Sequence, residues 1–212
     1  MIVASITKAC YGKYKRDAES VIGELKISER IVDGRLELTA KMPGNDRNYS
    51  ASFEIAVPES IRLDLTSTNG NITISEILAT MMANTTNGAI TLTNTKGAAI
   101  ISTTNGSISV QNHSGPIKGK TWNGAINCNL SELTATDSNR LETSNGSVQL
   151  FLPINASAQI EAYTSNGNIT IEGFDTIDFQ ERSKTQAHCR IGAGTSTVWV
   201  KTTNGNITIR NR

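Results

Sequence analysis

The chain has 212 residues and a mass of 22.7 kDa, room for one domain of roughly 150–200 residues and a short additional piece. Its 20 Lys and Arg against 19 Asp and Glu leave a net charge of +1, so no field of one sign is present to hold a nucleic-acid backbone or an anionic membrane. Thr, Asn and Ser supply 66 of the 212 residues and Gly another 17, a strand-and-turn composition with no window near the roughly 18 apolar residues of a membrane helix.

Residues 1–20 are charged and mixed, and predict a short helix or a loose arm. They lack a basic segment followed by a sustained apolar core, so no export signal is read there. Residues 21–65 have strand character without strict periodicity and predict an irregular β cap leading into the regular part. Leu25–Ser28 and Leu36–Thr39 alternate around Asp33-Gly34, Pro43–Asp46 is a turn, and Phe53–Val57 is a further strand before Pro58.

From residue 66 onward the chain repeats. Asn-Gly pairs stand at Asn69-Gly70, Asn87-Gly88, Asn105-Gly106, Asn123-Gly124, Asn145-Gly146, Asn166-Gly167 and Asn204-Gly205. The glycines are 18, 18, 18, 22, 21 and 38 residues apart, the last gap reading as two periods with one pair missing. Two and four residues after each glycine stand aliphatic residues, such as Ile72 and Ile74, or Ile90 and Leu92, with Cys128 as the one exception. Thr, Ser, Asn or Gln separate them, which is the period of two of a strand with one buried face. Before each glycine the inward residues fall at odd offsets, as with Met81, Ala83 and Thr85. A straight strand cannot change parity, so the chain must bend at Asn-Gly, where both residues tolerate positive φ.

A meander of hairpins is the plain alternative for Asn-Gly between apolar strands. The constant unit, with like residues at like positions, instead favours an all-β parallel β-helix, a solenoid with coils of about 18–22 residues over residues 66–212. Gly97 and Gly115 mark a second corner within the coil, and Pro58 and Pro153 sit at corners. Residues 173–191 interrupt the pattern, and the strands at 196–201 and 207–209 are expected to close the far end, the whole forming one compact domain.

The chemistry-bearing residues are sparse. No phosphate-binding glycine loop, zinc-protease motif or nucleophile elbow occurs. Glu132, Asp137, Glu142 and Glu161 do not recur at a coil interval, so a carboxylate pair for glycoside cleavage is not evident. Cys128 replaces an inward aliphatic and reads as a small buried hydrophobe. His188-Cys189 places two possible ligands side by side without a second pair. The corners lack the repeated aspartates of a calcium-binding roll. Ten Asn-x-Ser/Thr sequences are what the composition alone produces. No catalytic residue, cofactor or metal ion is expected. Trp122, where other coils carry Thr or Ser, is the candidate contact for a sugar or a protein, although packing against the larger following coil is the favoured explanation. Trp199 is outward within its strand, and residues 173–191 are expected to cover it.

The strings TSTNGNITI, NTTNGAITL, STTNGSISV, ETSNGSVQL, YTSNGNITI and KTTNGNITI resemble the putative-adhesin family of β-strand repeat proteins of bacteria and archaea. Val57-Pro58, Leu152-Pro153 and the late Gly192-Ala193-Gly194 match the same group, over about residues 50–209. The resemblance implies a right-handed β-solenoid at or beyond the cell envelope, with no shared catalytic residues. The expected function is a non-enzymatic, adhesin-like scaffold presenting a polar sheet face to a glycan or protein surface. An intracellular or membrane-associated regulatory interaction module is the second expectation, favoured by the lack of an export signal, and a carbohydrate-active enzyme the third. No nucleic-acid partner is expected.

Overall fold

The computed structural model describes residues 2–10, 22–33, 35–41 and 49–212. The expected turn at Pro43–Asp46 and residues 11–20 of the expected arm lie outside the described residues. The chain forms two compact units, Met1–Pro58 and Glu59–Arg212.

In the first unit, β1 (Val3–Cys10), β2 (Lys26–Val32), β3 (Arg35–Lys41) and β4 (Tyr49–Ala56) make two antiparallel pairs. β1 runs against β4 from Val3↔Ala56 to Cys10↔Tyr49. Residues 3–10 are therefore a strand, not a helix or a loose arm, in keeping with the β-branched Val3, Ile6 and Thr7. β2 and β3 form a hairpin closed at Val32↔Arg35, with Asp33 at a φ of 51°.

The second unit continues with β5 (Leu63–Asn69), β6 (Ile72–Ser75), β7 (Met81–Asn87), β8 (Ile90–Lys96), β9 (Ala99–Asn105) and β10 (Ile108–Ser114). Then come β11 (Ile117–Asn123), β12 (Ile126–Glu132), β13 (Ser138–Asn145), β14 (Val148–Leu152), β15 (Ala158–Asn166) and β16 (Ile169–Glu172). A hairpin of β17 (Ile177–Arg182) and β18 (Gln186–Ile191) precedes β19 (Ser196–Asn204) and β20 (Ile207–Asn211). Residues 59–65, which the sequence groups with the cap, fall in this unit, where β5 is the first strand of the larger sheet.

Two long, almost entirely parallel sheets result. Strands preceding each Asn-Gly build a nine-stranded sheet in the order β17-β18-β15-β19-β13-β11-β9-β7-β5. Strands following it build a seven-stranded sheet in the order β16-β20-β14-β12-β10-β8-β6. Parallel neighbours put like on like: Ile72, Ile90, Ile108 and Ile126 lie in one register row, and Met81, Ala99 and Ile117 in another. The inward rows of both sheets form the core, in which Ile90, Ile108, Ile117, Ile126, Val200 and Ile207 are at most 1% exposed.

The order of the last strands corrects the expectation that residues 196–209 close the far end. β19 lies between β13 and β15, and β20 between β14 and β16. After Leu152 the chain skips one rung, lays down β15 and β16, doubles back through the β17–β18 hairpin, and fills the skipped rung last. The gap of 38 residues is thus not two coils with one corner lost. It contains an antiparallel hairpin that covers the outer edge of β15 with non-repeating sequence.

The corners also correct the reason given for glycine. None of the seven Asn has positive φ, and among their glycines only Gly146 does, at a near-extended 157°. What glycine supplies is space. A Cβ on Gly88, Gly106, Gly124, Gly146, Gly167 or Gly205 would stand 1.9–2.2 Å from the carbonyl oxygen of the glycine one rung away. Left-handed backbone occurs elsewhere in the coil, at Gly97 and Gly115 (111° and 114°) and at Glu76, Asn94 and Asn112 (52–58°). Those three residues stand at equal 18-residue intervals and make a second parity switch, turning Ile77, Thr95 and His113 inward.

His113 is fully buried, with its Nδ1 hydrogen-bonded to Thr95 Oγ1 at 2.9 Å and its Nε2 without a partner among the described residues. Burial is the largest influence on the ring and pushes its pKa below 6.5, against opposing contributions from Thr95, Asp137, Gly115 and Pro116.

Two outcomes follow from this packing. Gly106→Ala lowers stability by at least about 3 kcal/mol through forced overlap with the neighbouring corner, whereas Gly70→Ala, which meets only Ser67 Oγ at 3.1 Å, changes it by no more than about 1 kcal/mol. Urea unfolding midpoints of the two variants test this. For His113, both states are neutral above pH 6.5. As pH falls through 6.5 the unfolded chain takes up the proton first, so stability drops until the native ring is protonated as well. His113→Leu removes this component, and its stability falls less than that of the parent between about pH 7 and 5. Equal slopes for both proteins would show that the native ring titrates normally.

Candidate binding face

Three bonds join each of the six neighbouring pairs of corners. The glycine N–H donates to the Asn carbonyl of the next rung, as in Gly88 to Asn105 at 3.1 Å and Gly106 to Asn123 at 3.0 Å. The Asn side chains form an amide ladder at 2.8 Å in the order Asn69, Asn87, Asn105, Asn123, Asn145, Asn204, Asn166. At every corner but the first, where Ser67 stands, the buried Thr three residues before the glycine donates its hydroxyl to a glycine carbonyl one rung away, as Thr103 does to Gly88 and Thr121 to Gly106, both at 2.8 Å. The corner residues are thus consumed by structure. The outward rows of the two sheets are the candidate surface.

Those two faces differ. The outward row Thr73, Thr91, Ser109, Asn127 and Gln149 of the seven-stranded sheet is an uncharged row of hydroxyls and amides. On the nine-stranded sheet, one outward row runs Lys118↔Arg140↔Trp199↔Glu161↔His188, and the next runs Lys120↔Glu142↔Lys201↔Tyr163↔Gln186. Four cations and two aromatic rings therefore meet on adjacent strands. Trp122 lies at the end of β11 beside this cluster and is 57% exposed, so it is not packed beneath the following coil.

Trp199 is shielded, though not by residues 173–191. The β17–β18 hairpin extends the same sheet beyond β15 instead of folding over β19. Its shield is the Arg140 guanidinium, 3.6 Å from the ring centroid, with Tyr163 at 6.5 Å and 45°. Arg140 also reaches Glu142 at 3.0 Å, and Lys120 approaches the same carboxylate at 3.6 Å. Partial burial pushes the Glu142 carboxyl up. The Arg140 hydrogen bond and the charges of Lys120, Arg140 and Lys201 outweigh it and hold the group below the usual carboxylate range. With Glu142 neutralised by two neighbours, β11, β13 and β19 keep a surplus of positive charge.

The remaining candidates disperse. Glu142 and Glu161 share this face but stand two strands apart with β19 between them. Glu132 accepts a bond from Ser114 on the other sheet at 2.8 Å, and Asp137 is buried in a turn, accepting from the Thr134 N–H at 2.7 Å. His188 and Cys189 are consecutive in β18, so their side chains take opposite faces and form no common site. Cys128 and Cys189 are buried thiols, pushed by burial up to about 12 and about 11, which makes them poor nucleophiles. Among the described residues no group of three or more His, Cys, Asp or Glu is placed to hold a metal ion, and no helix is long and apolar enough to cross a membrane.

The cation cluster is missed when the chain is read coil by coil. Aligning the residues six and four before each corner glycine finds Lys118 with Lys120, Arg140 with Glu142 and Trp199 with Lys201. β11 and β13 pair in chain order, and the inserted rung sets Trp199 and Lys201 beside Arg140 and Glu142.

Among solved structures, a putative cell adhesion protein from Clostridium sporogenes is similar over 88% of this chain and 76% of its own, at 14% identity and a TM-score of 0.42. No curated protein matches the chain. The model of the family described as Toastrack DUF4097 matches residues 47–210, so this chain of two long β-sheets and Asn-Gly corners is a member of that family.

Proposed function

We propose that this protein is a non-enzymatic, adhesin-like scaffold of the cell envelope or surface that binds an anionic glycan on the outward face of its nine-stranded sheet. The observation that carries this reading is the meeting of Lys118, Lys120, Arg140 and Lys201 with Trp122 and Trp199 on three adjacent strands. The exposed Trp122 ring stacks on the apolar face of a sugar, Arg140 already covering Trp199, and the cations pair with acidic substituents. Strands about 4.8 Å apart set the side chains at intervals close to the length of one sugar ring. A linear polymer laid across the strands thus meets one row position per residue. The surrounding Thr, Ser and Asn rows supply hydrogen bonds that need no charge.

The finer architecture belongs to the same proposal. The coils wind right-handed, because successive strands of one sheet are parallel and joined through the other sheet, the connection for which one hand is strongly preferred.

Immobilised polygalacturonate tests the ligand, with neutral dextran as control. The expected result is salt-sensitive binding to the acidic polymer alone, weakened about tenfold by Trp122→Ala and again by Lys120→Ala, each near 1.4 kcal/mol. Binding unchanged by either substitution would move the site off this face. Protease shaving of intact cells tests the location. A protected soluble fraction would replace the surface reading with that of an intracellular interaction module.

A further inference from the structure

The seven Asn-Gly pairs are alike in sequence, and one of them differs in its surroundings. In six pairs the glycine N–H is held by the next rung: Gly70 by Asn87, Gly88 by Asn105, Gly106 by Asn123, Gly124 by Asn145, Gly146 by Asn204 and Gly205 by Asn166, at 2.9–3.1 Å. Gly167 stands on the last rung, and among the described residues its N–H has no acceptor. The hairpin that covers this end reaches the chain on either side of the corner, where Thr185 and Lys184 carbonyls accept from Thr164 and Ile169 at 2.9 and 3.0 Å, and passes over Gly167 itself. The Asn166 carboxamide is exposed and held from one side only, donating to Asn204 Oδ1 at 2.8 Å.

From this geometry we infer that Asn166 is a site of spontaneous, self-catalysed backbone modification: deamidation through a succinimide, confined by the fold to this one pair of the seven. Asn-Gly is chemically predisposed to it, because no Cβ hinders approach of the following nitrogen to the carboxamide carbon. The Gly167 nitrogen loses its proton to solvent base and attacks Asn166 Cγ. The new N–Cγ bond forms, the Cγ–Nδ2 bond breaks, and ammonia leaves. Water then opens the ring at either carbonyl to give aspartate or isoaspartate. The net change is one water consumed and one ammonia released. In the other six corners the nitrogen is engaged as a donor within the stack, and it becomes a nucleophile only after the rung opens.

The product alters the end of the ladder. A carboxylate at position 166 has no N–H to give to Asn204 Oδ1, and it places a negative charge on the exposed rung. Isoaspartate also lengthens the backbone at the corner. The terminal rung therefore records the age of the folded molecule in its charge.

Two corners serve as internal controls. Asn69 and Asn204 are each followed by Gly-Asn-Ile-Thr-Ile, as is Asn166, and are preceded by Thr where Asn166 has Ser165. The full-length protein is incubated folded in mildly alkaline buffer, sampled over time, and mapped by tryptic digestion with fragment-ion localisation. Deamidation at Asn166 is expected to run at least about tenfold faster than at Asn69, Asn145 or Asn204, the difference reflecting the opening those rungs require. In urea the four rates converge. Equal rates in the folded protein would overturn the inference. So would a preference for Asn166 that persists in urea, since its origin would then be local sequence.

Discussion

The structure depends on one contact repeated at every corner: the approach of a glycine to the carbonyl oxygen of the glycine one rung away. The distance leaves no room for a Cβ. It brings the three inter-rung bonds of the corner within reach, from glycine N–H to Asn carbonyl, from Asn amide to Asn amide, and from Thr hydroxyl to glycine carbonyl. Without the Thr hydroxyl, a carbonyl turned toward the core would lack a partner, at a cost of about 1–3 kcal/mol per rung. With it, the polar groups of a sharp bend are satisfied inside a stack whose remaining interior is aliphatic. The parity of the chain is reset at the same point, which is why one repeating unit feeds two different sheets.

That division of labour explains the contrast between the faces. Inward positions are fixed by stacking, so they repeat. Corner positions are fixed by close approach, so they repeat as well. Outward positions are constrained by neither, and there one row of the seven-stranded sheet keeps neutral hydroxyls and amides while the nine-stranded sheet gathers Lys, Arg and Trp. The isolated surface ion pairs on this face contribute little to stability, about 0–1 kcal/mol each. Folding therefore gives them no reason to repeat.

The inward rows and the corner positions could be read from spacing alone, because Ile72, Ile90 and Ile108 announce their register by identity. Two things were hidden for physical reasons. Non-sequential order leaves no trace in local periodicity: residues 196–211 satisfy the same pattern whether they stack last or between two earlier coils. The role of glycine was legible only in part, since tolerance of positive φ and absence of a Cβ select the same residue at Gly106. The bend at Asn94 and Asn112 was available from their 18-residue spacing and the readiness of Asn to adopt left-handed backbone. The binding face was the least accessible, because Arg140 and Trp199 are 59 residues apart in sequence and share a register row only through the inserted rung.

That insertion bears on how the molecule is made. A repeat array whose coils stack in chain order can fold as it leaves the ribosome, each new coil docking on the previous one. Here the growing stack halts after β14, because its next neighbour is β20, six strands later in the chain. Until residue 211 has emerged, β13 and β14 present open, flat edges with unpaired N–H and C=O groups. β15 and β16 meanwhile wait for a rung that does not yet exist. Until then the nascent chain is an intermediate whose edges invite pairing with another nascent chain. Closure is a long-range event that makes folding slow relative to the local coils. A protein built mostly of near-neighbour contacts thus acquires, through one displaced coil, a single all-or-none final step.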